Sequence, residues 1–151
     1  MSKVTAKEIK KLRGKTGAGL MDVRQALEEA KGDEKKALEV LRKIGLKKVA
    51  KRDDKETSEG QVYAYTHTGG RVAAIVKVLC ETDFVAKSDD FQKLCKELCL
   101  QITSMKPKNV KELLAQAYIR DPKRKVNELV KEVASKVKEK VVVKEISRLE
   151  I

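Results

Sequence analysis

The sequence is poor in the residues from which base-stacking and metal sites are usually built. Its 151 residues include no Trp, three Tyr, two Phe, one His and three Cys. Proteins that bind single-stranded nucleic acid stack bases on aromatic side chains, and only Tyr63 and Tyr65 alternate on one predicted strand face. A closed zinc site needs four ligands, which His67 and the scattered cysteines supply poorly. We therefore expect no metal, no cofactor and no direct nucleic-acid role.

Long apolar runs are also missing from the sequence. The N-terminal stretch MSKVTAKEIKKLRG contains no segment typical of a signal peptide or an import sequence, and no window approaches a membrane span. We expect a cytoplasmic protein, in the bacterial cytosol, without a membrane role. The apolar surroundings of Cys80, Cys95 and Cys99 indicate buried reduced thiols, and a redox role for them stays open.

Positively charged residues outnumber negatively charged ones in the sequence. Lys and Arg number 35 against 23 Asp and Glu, which gives a net charge of +12 and a pI near 9.6. This balance favours association with nucleic acid, ribosomes, anionic membranes or an acidic protein. It is equally compatible with a well-solvated surface rich in Lys and Glu, so charge alone does not choose the partner.

The N-terminal third predicts three short helices. A capping-box spacing at Thr5 and Glu8 begins the first, and Asp33 caps the third. Glycines at 14, 32 and 45 are predicted to end the three helices. We interpret residues 1–46 as a three-helix module and residues 47–60, which are charged, as a linker whose first part could extend a helix.

Residues 61–151 predict an α+β core domain. Two alternating stretches flank Gly69-Gly70 and predict a β-hairpin, whose second strand is apolar on both faces and should be covered on each side. Ser88 or Asp89 should cap a long helix, and Asn109 a short one that ends near Tyr118. After a predicted turn in RDPKRK come another helix and a terminal strand whose alternation breaks near Lys144, giving a small three-stranded antiparallel sheet packed by helices.

No set of residues predicts covalent catalysis. His67 has no nucleophile placed beside it, and TGAG at residues 16–19 lacks the strand and the Gly-Lys-Ser/Thr of a phosphate-binding loop. Asp83, Asp89 and Asp90 are more simply explained as carboxylates at helix starts than as ligands of a divalent ion. No catalytic residue is assigned.

The aromatic ring at Phe84 has two interpretations. It follows a predicted buried strand, at a place where a turn is ordinarily polar. The ring could fold back and pack in the hydrophobic core of its own subunit, which is the commoner location of an aromatic side chain. Alternatively it could project outward into a pocket of a partner, with Asp83 beside it as a charged hydrogen-bonding group.

Two motifs carry a family resemblance. TGAGLMDVRQAL at residues 16–27 and TDFVAKSDDF at residues 82–91, in this order, resemble elongation factor Ts, the guanine-nucleotide exchange factor for elongation factor Tu. GRVAAIVKVLCETDFVA resembles the family's strand that leads into the second motif. VKEKVVVKEISRLEI resembles the last strand of short members.

The resemblance implies an N-terminal module of the ubiquitin-associated type and a role in translation elongation as an exchange factor, not an enzyme. Phe84 would insert between elements of the G domain of elongation factor Tu, away from the nucleotide itself, with Asp83 supporting the contact, and would thereby disturb the magnesium site and the phosphate-binding loop. The implied partner-binding residues are Thr82, Asp83, Phe84 and Val85 in the core, and Arg13, Leu20, Met21, Asp22 and Arg24 in the N-terminal module.

The sequence departs from the family pattern in two places. Leu20 stands where the family usually has Met, a change that conserves volume and should be tolerated. Residues 106–125 leave no room for the second core subdomain and coiled coil of large members. Short members compensate by pairing, so we expect a homodimer through the sheet that contains the last strand, which would otherwise leave an exposed edge.

Two other functions remain open at this point. Net charge supports an RNA- or ribosome-associated basic module. The N-terminal helices could instead form an adaptor that binds a protein without affecting its nucleotide.

Overall fold

The computed structural model describes residues 4–151, so the first three residues of the predicted N-terminal module lie outside it. Seven helices and five strands make up the described chain. The helices are α1 (Ala6–Thr16), α2 (Leu20–Glu29), α3 (Glu34–Ala50), α4 (Asp83–Ala86), α5 (Asp89–Met105), α6 (Val110–Ala115) and α7 (Val126–Val137). The strands are β1 (Glu59–Thr66), β2 (Val72–Cys80), β3 (Ala117–Tyr118), β4 (Asp121–Lys125) and β5 (Val142–Glu150). The predicted α+β class is confirmed.

Helix α1 begins as predicted and ends later than predicted. The Thr5 hydroxyl accepts from Glu8 N at 3.3 Å while the Glu8 carboxylate accepts from Thr5 N at 2.8 Å, which completes the capping box. Gly14 does not end the helix, contrary to the prediction. The chain stays helical to Thr16, and Gly17 takes the left-handed conformation (φ 67°) that a helix end commonly uses.

Helix α3 also runs past its predicted end. It continues through Gly45 to Ala50, so the first part of the predicted linker is helical. At Gly45 the helix crosses α7 so closely that an added Cβ would lie 1.9 Å from Ser135 Oγ. Gly45 is therefore explained by helix–helix packing, because only a residue without a side chain permits this approach.

We predict opposite stability effects for Ala at two helical glycines. Gly45→Ala should lower the free energy of unfolding by about 1–3 kcal/mol through overpacking against Ser135. Gly14 has open space around its Cα, so Gly14→Ala should raise that free energy by about 0.5–1 kcal/mol. Urea denaturation of both variants measures the difference. Equal effects at the two positions would contradict the assigned role of Gly45.

The main sheet has the order β1-β2-β5 and is antiparallel throughout. Gly69 and Gly70, at φ 91° and 68°, form the tip of the predicted β1–β2 hairpin. Between β2 and β5 the register shifts, because Lys77 pairs with Glu145 while Val78 pairs with Val143. Lys144 is thus the extra residue of a bulge, which explains why the alternation breaks there in the sequence.

Only one face of this sheet is covered within the subunit. The inward side chains of β2, which are Ala74, Val76, Val78 and Cys80, pack in the core with the buried face of α5. The outward face stays open, with Val62 68%, Ile75 44% and Leu149 77% exposed. The expectation that both faces of β2 are covered is therefore wrong for the described subunit, because all packing helices lie on one side.

The segment between α5 and α7 differs from its prediction. Asn109 caps α6 as expected, with its Oδ1 accepting from Glu112 N at 2.8 Å, but the helix ends at Ala115. The chain then forms the short pair β3 and β4, so Asp121–Lys125 is a strand where a turn was predicted. Gln101 explains the change, since its buried amide bonds Ala117 O and Ile119 N and keeps this segment extended.

Candidate partner-binding surface

Phe84 projects from the surface on a single helical turn. The turn is α4, which follows directly after β2, and the side chain of Phe84 is 82% exposed. Thr82 caps the turn by accepting from Val85 N at 3.3 Å. Val85 and Ala86 are buried on the opposite side of the turn. Because these two side chains attach the turn to the core, the ring of Phe84 is left facing solvent.

The other predicted residues of this motif have different surroundings. Asp83 is exposed and pairs with Lys87 Nζ at 3.1 Å, and the hydrogen bond from Lys87 lowers the pKa of its carboxyl. An exposed pair of this kind contributes little to stability, so Asp83 is free to exchange partners. Val85 is buried, so it supports the turn and does not itself present a contact surface.

A second carboxylate from a distant segment holds the start of the turn. Glu139, which follows α7, accepts from Glu81 N and Thr82 N at 3.0 Å each and from the Thr82 hydroxyl at 2.6 Å. These are charge-assisted hydrogen bonds, which are stronger than neutral ones. The direction of the backbone entering the turn is thereby set by a residue more than fifty positions away.

The side chain of Glu81 connects the same place to α3. Arg52, just beyond α3, donates from its Nε to Glu81 Oε1 at 2.8 Å, and Lys140 N donates to the same oxygen at 2.7 Å. The Arg52 hydrogen bond is the main cause that lowers the pKa of Glu81 to about 2. Lys140 Nζ additionally reaches Asp53 O at 2.6 Å. The Phe84 turn and the end of α3 are thus tied together.

We predict that this ion pair makes stability depend on acid pH. The folded-state pKa of Glu81 lies below its ordinary value of 4.5, so its contribution is complete above about pH 4.5 and is lost as the pH falls toward 2. Urea unfolding at pH 6 and pH 3 should show a smaller acid loss for Glu81→Gln than for the wild type. Glu112→Gln, an exposed control, should lose as much as the wild type, and equal losses in all three would contradict the prediction.

The predicted N-terminal residues form a separate exposed region. Leu20 is 52% and Met21 69% exposed at the start of α2. Leu20 and Arg13 line one shallow groove of about 190 Å³ together with Ile9. Apolar side chains that are exposed together beside a basic group are typical of a protein-binding surface.

The two charged residues of α2 already have partners within the chain. Asp22 pairs with Lys48 Nζ at 2.6 Å, which links α2 to α3, and Arg24 pairs with Glu28 at 2.8 Å along the helix. Each would have to give up a pair to contact another protein. Leu20, Met21 and Arg13 are therefore the more available members of the predicted set.

The cysteines are buried and unpaired, as predicted. Burial raises the pKa to about 11 for Cys80 and Cys99 and to about 12 for Cys95. Thiols with such pKa values are poor nucleophiles near neutral pH. Cys80 Sγ instead donates to Thr82 O at 3.2 Å, beneath the Phe84 turn.

The other chemical candidates considered from the sequence are a metal site and His67. Within residues 4–151 no group of three or more His, Cys, Asp or Glu lies close enough to hold a metal ion. His67 is exposed near the hairpin tip, with Nδ1 3.2 Å from the Tyr65 hydroxyl. In the same part of the chain, no helix has both the length and the apolarity needed to cross a bilayer.

Sequence reasoning did not find the residues that support Phe84. Glu81 and Glu139 lie in stretches that resemble the family, but the resemblance implies no role for either of them, and Arg52 lies in the charged segment 47–60. The one local signal was Thr82, whose spacing to Val85 fits a helix cap. Nothing in a single sequence relates Glu139 to Thr82, because their contact depends on how α7 packs.

Comparisons of the sequence with known proteins find relatives over nearly the whole chain. Residues 81–151 match the family model described as "Elongation factor TS". An elongation factor Ts of Moorella thermoacetica is 37% identical over 193 residues, covering 98% of this chain and 95% of that protein. One from Thermoanaerobacter sp. (strain X514) is 35% identical over 192 residues, covering 97% and 94%. Another, from Anaeromyxobacter sp. (strain Fw109-5), is 47% identical over 136 residues, covering 82% and 62%.

The sequence matches these relatives, and the chain has an α+β fold that presents an exposed aromatic side chain. The protein therefore belongs to the class of factors that act in the elongation step of protein biosynthesis. The chain belongs to the elongation factor Ts family. Alignments of about 190 positions exceed its 151 residues, so relatives carry segments that this chain lacks.

Proposed function

We propose that this protein binds elongation factor Tu in its GDP form in the bacterial cytosol and promotes GDP release, so that GTP can bind. The supporting observation is the exposed ring of Phe84 on a turn anchored by Val85 and braced by Glu139. Family membership supports this choice of partner, and the geometry provides a rigid aromatic group to insert into it. The protein makes and breaks no covalent bond in this process.

The mechanism is thermodynamic linkage. A partner that binds nucleotide-free elongation factor Tu more tightly than the GDP-bound form must weaken GDP binding by the same factor. A coupling free energy of about 3 kcal/mol changes affinity by roughly 150-fold. Insertion of Phe84 between elements of the G domain, away from the nucleotide itself, would supply the differential contact.

The N-terminal helices would provide a second contact with elongation factor Tu. We propose that residues 1–46 act as a module whose exposed Leu20 and Met21, with Arg13, contact the G domain away from Phe84. The core domain, residues 61–151, would carry Phe84 and the dimer contact. Two separated contact regions increase the area buried without requiring either region to bind tightly alone.

Release of a fluorescent GDP analogue from preloaded elongation factor Tu tests the proposal. The protein should accelerate release in a concentration-dependent and saturable manner, with unlabelled GDP as the chase. No acceleration together with salt-sensitive RNA binding would favour the basic RNA-associated module. Stable binding to elongation factor Tu without faster release would favour the adaptor.

We further propose a homodimer formed through the main sheet. β5 is an edge strand, and at its C-terminal end the apolar side chains of Leu149 and Ile151 are 77% and 86% exposed. Apolar edges that stay open invite association with another chain. A second copy of the same sheet would cover these side chains with matching apolar surface.

Leu149→Lys should convert the dimer to a monomer. A charge on each copy would have to be buried at the pairing surface, whereas the exposed position tolerates it in the free subunit. Sedimentation equilibrium at several concentrations measures the change, and circular dichroism verifies the fold. A wild-type protein that is monomeric throughout the range would contradict the proposed dimer.

A further inference from the structure

The junction before Phe84 and the junction after α7 hold each other by reciprocal contacts. The Glu139 carboxylate accepts from the backbone amides of Glu81 and Thr82 at 3.0 Å each. In return, the Glu81 carboxylate accepts from the backbone amide of Lys140 at 2.7 Å. Each carboxylate therefore satisfies backbone donors on the other segment. We call these contacts the carboxylate clamp, formed by Glu81, Thr82, Glu139 and Lys140.

The end of α7 is shaped so that Glu139 reaches the clamp. Lys138 takes the left-handed conformation (φ 60°), which is unfavourable for a residue other than glycine. This reversal ends the helix, with the amides of Lys138 and Glu139 both bonding Ala134 O. The left-handed conformation of Lys138 therefore has a conformational free-energy cost, and it directs Glu139 toward the junction between β2 and α4.

The carboxylates of Glu81 and Glu139 lie in the same cluster, so their mutual repulsion has to be compensated by a positive charge. Arg52 supplies it, since its guanidinium donates to Glu81 Oε1 at 2.8 Å, and its pKa is raised chiefly by that hydrogen bond. Together with Arg52, the clamp therefore links three parts of the chain: the segment just after α3, the start of the Phe84 turn and the segment between α7 and β5. A four-residue helix has too few internal hydrogen bonds to keep its own direction, so contacts from outside the turn must set it, and the clamp is one of them beside the buried Val85.

We propose that Glu139 is a positioning residue for Phe84, and that it fixes the direction in which the ring leaves the subunit. This inference rests on the proposed function. An insertion element that is ordered before binding loses less entropy on binding. Without the clamp the turn keeps its buried anchor at Val85, but the backbone entering at Glu81 and Thr82 becomes free to move.

Glu139→Ala tests this role through two independent readouts. The first is amide hydrogen exchange at Glu81 and Thr82, followed by NMR, which should become faster by about tenfold or more once the acceptor is lost. The second is the efficiency of GDP release from elongation factor Tu, which should fall by about tenfold, as expected when a preorganised contact is loosened. Stability should decrease only modestly, because the core under the turn is unchanged.

Glu139→Gln is a milder variant, which keeps the proposal testable if Glu139→Ala does not fold. Its carbonyl oxygen can take the place of Oε2 and accept from the amides of Glu81 and Thr82, but without the negative charge, so both readouts should lie between the wild type and Glu139→Ala. Glu112→Ala is the matched control, because it removes an exposed carboxylate from α6 and leaves the clamp intact. It should behave as the wild type in both measurements.

Two results would overturn the positioning role. One is fast amide exchange in Glu139→Ala with undiminished GDP release. The other is slower GDP release with unchanged amide exchange at Glu81 and Thr82, which would place the effect elsewhere. A wild-type protein that fails to accelerate GDP release would instead refute the proposed function, and this is seen before any variant is compared.

Discussion

Replacement of Phe84 by Ala should remove most of the acceleration of GDP release while leaving the protein as stable as the wild type. The ring is 82% exposed, so its loss creates no cavity in the subunit. In a complex it would be a central aromatic contact, and such contacts are worth about 2–4 kcal/mol, which corresponds to a reduction of about 30- to 1,000-fold. The separation of function from stability is the distinctive part of this prediction.

The measurement is fluorescent GDP release at several protein concentrations, combined with thermal unfolding of the free protein. Met105→Ala is a suitable control, because it also shortens an exposed apolar side chain, 48% exposed, at the end of α5. It should retain full activity. Phe84→Leu should be intermediate, since it keeps apolar volume and loses the flat ring. Full activity of Phe84→Ala would refute the insertion mechanism.

Replacement of Phe91 by Ala should have the opposite consequence. Phe91 is fully buried at the beginning of α5, where the helix packs against the inner face of β2. Truncation of a core Phe costs about 3–5 kcal/mol, through lost transfer free energy and the cavity left behind. Because a domain of this size is stable by only about 5–15 kcal/mol, Phe91→Ala should be partly unfolded near physiological temperature.

Urea denaturation of Phe91→Ala, Phe91→Leu and Phe84→Ala under identical conditions provides the comparison. Phe91→Leu should lose less stability than Phe91→Ala, because it leaves a smaller cavity. At low temperature, the folded fraction of Phe91→Ala should still accelerate GDP release. Equal stability of Phe91→Ala and Phe84→Ala would contradict the assignment of one ring to the core and the other to the surface.

Local signals in the sequence predicted most helix starts correctly. Thr5, Asp33, Ser88 and Asn109 all cap helices, with side-chain oxygens accepting from backbone amides three residues later. Capping depends on residues within one turn, so it can be read without knowledge of the fold. The break in alternation near Lys144 was informative for the same reason, since a bulge changes the pattern of its own strand.

Helix ends at glycine were less predictable. Gly17, not Gly14, ends α1, and Gly45 lies inside α3. A glycine is compatible with a left-handed helix end, with open space or with close packing, and only the neighbours distinguish these cases. At Gly45 the deciding neighbour is Ser135, ninety positions later. The strand at Asp121–Lys125 was missed for a similar reason, because Gln101 holds its partner segment.

The sequence by itself determined the α+β class, the hairpin and the family, and it singled out Phe84 as a candidate contact, because periodicity, turn residues and motifs are properties of neighbouring residues. Only the tertiary structure decided that Phe84 faces outward, that one sheet face stays open and that Glu139 clamps the turn. Those outcomes depend on which surfaces meet when distant segments pack. Glu139 reaches Thr82 because α7 ends where β2 ends, a coincidence in space that no local pattern encodes.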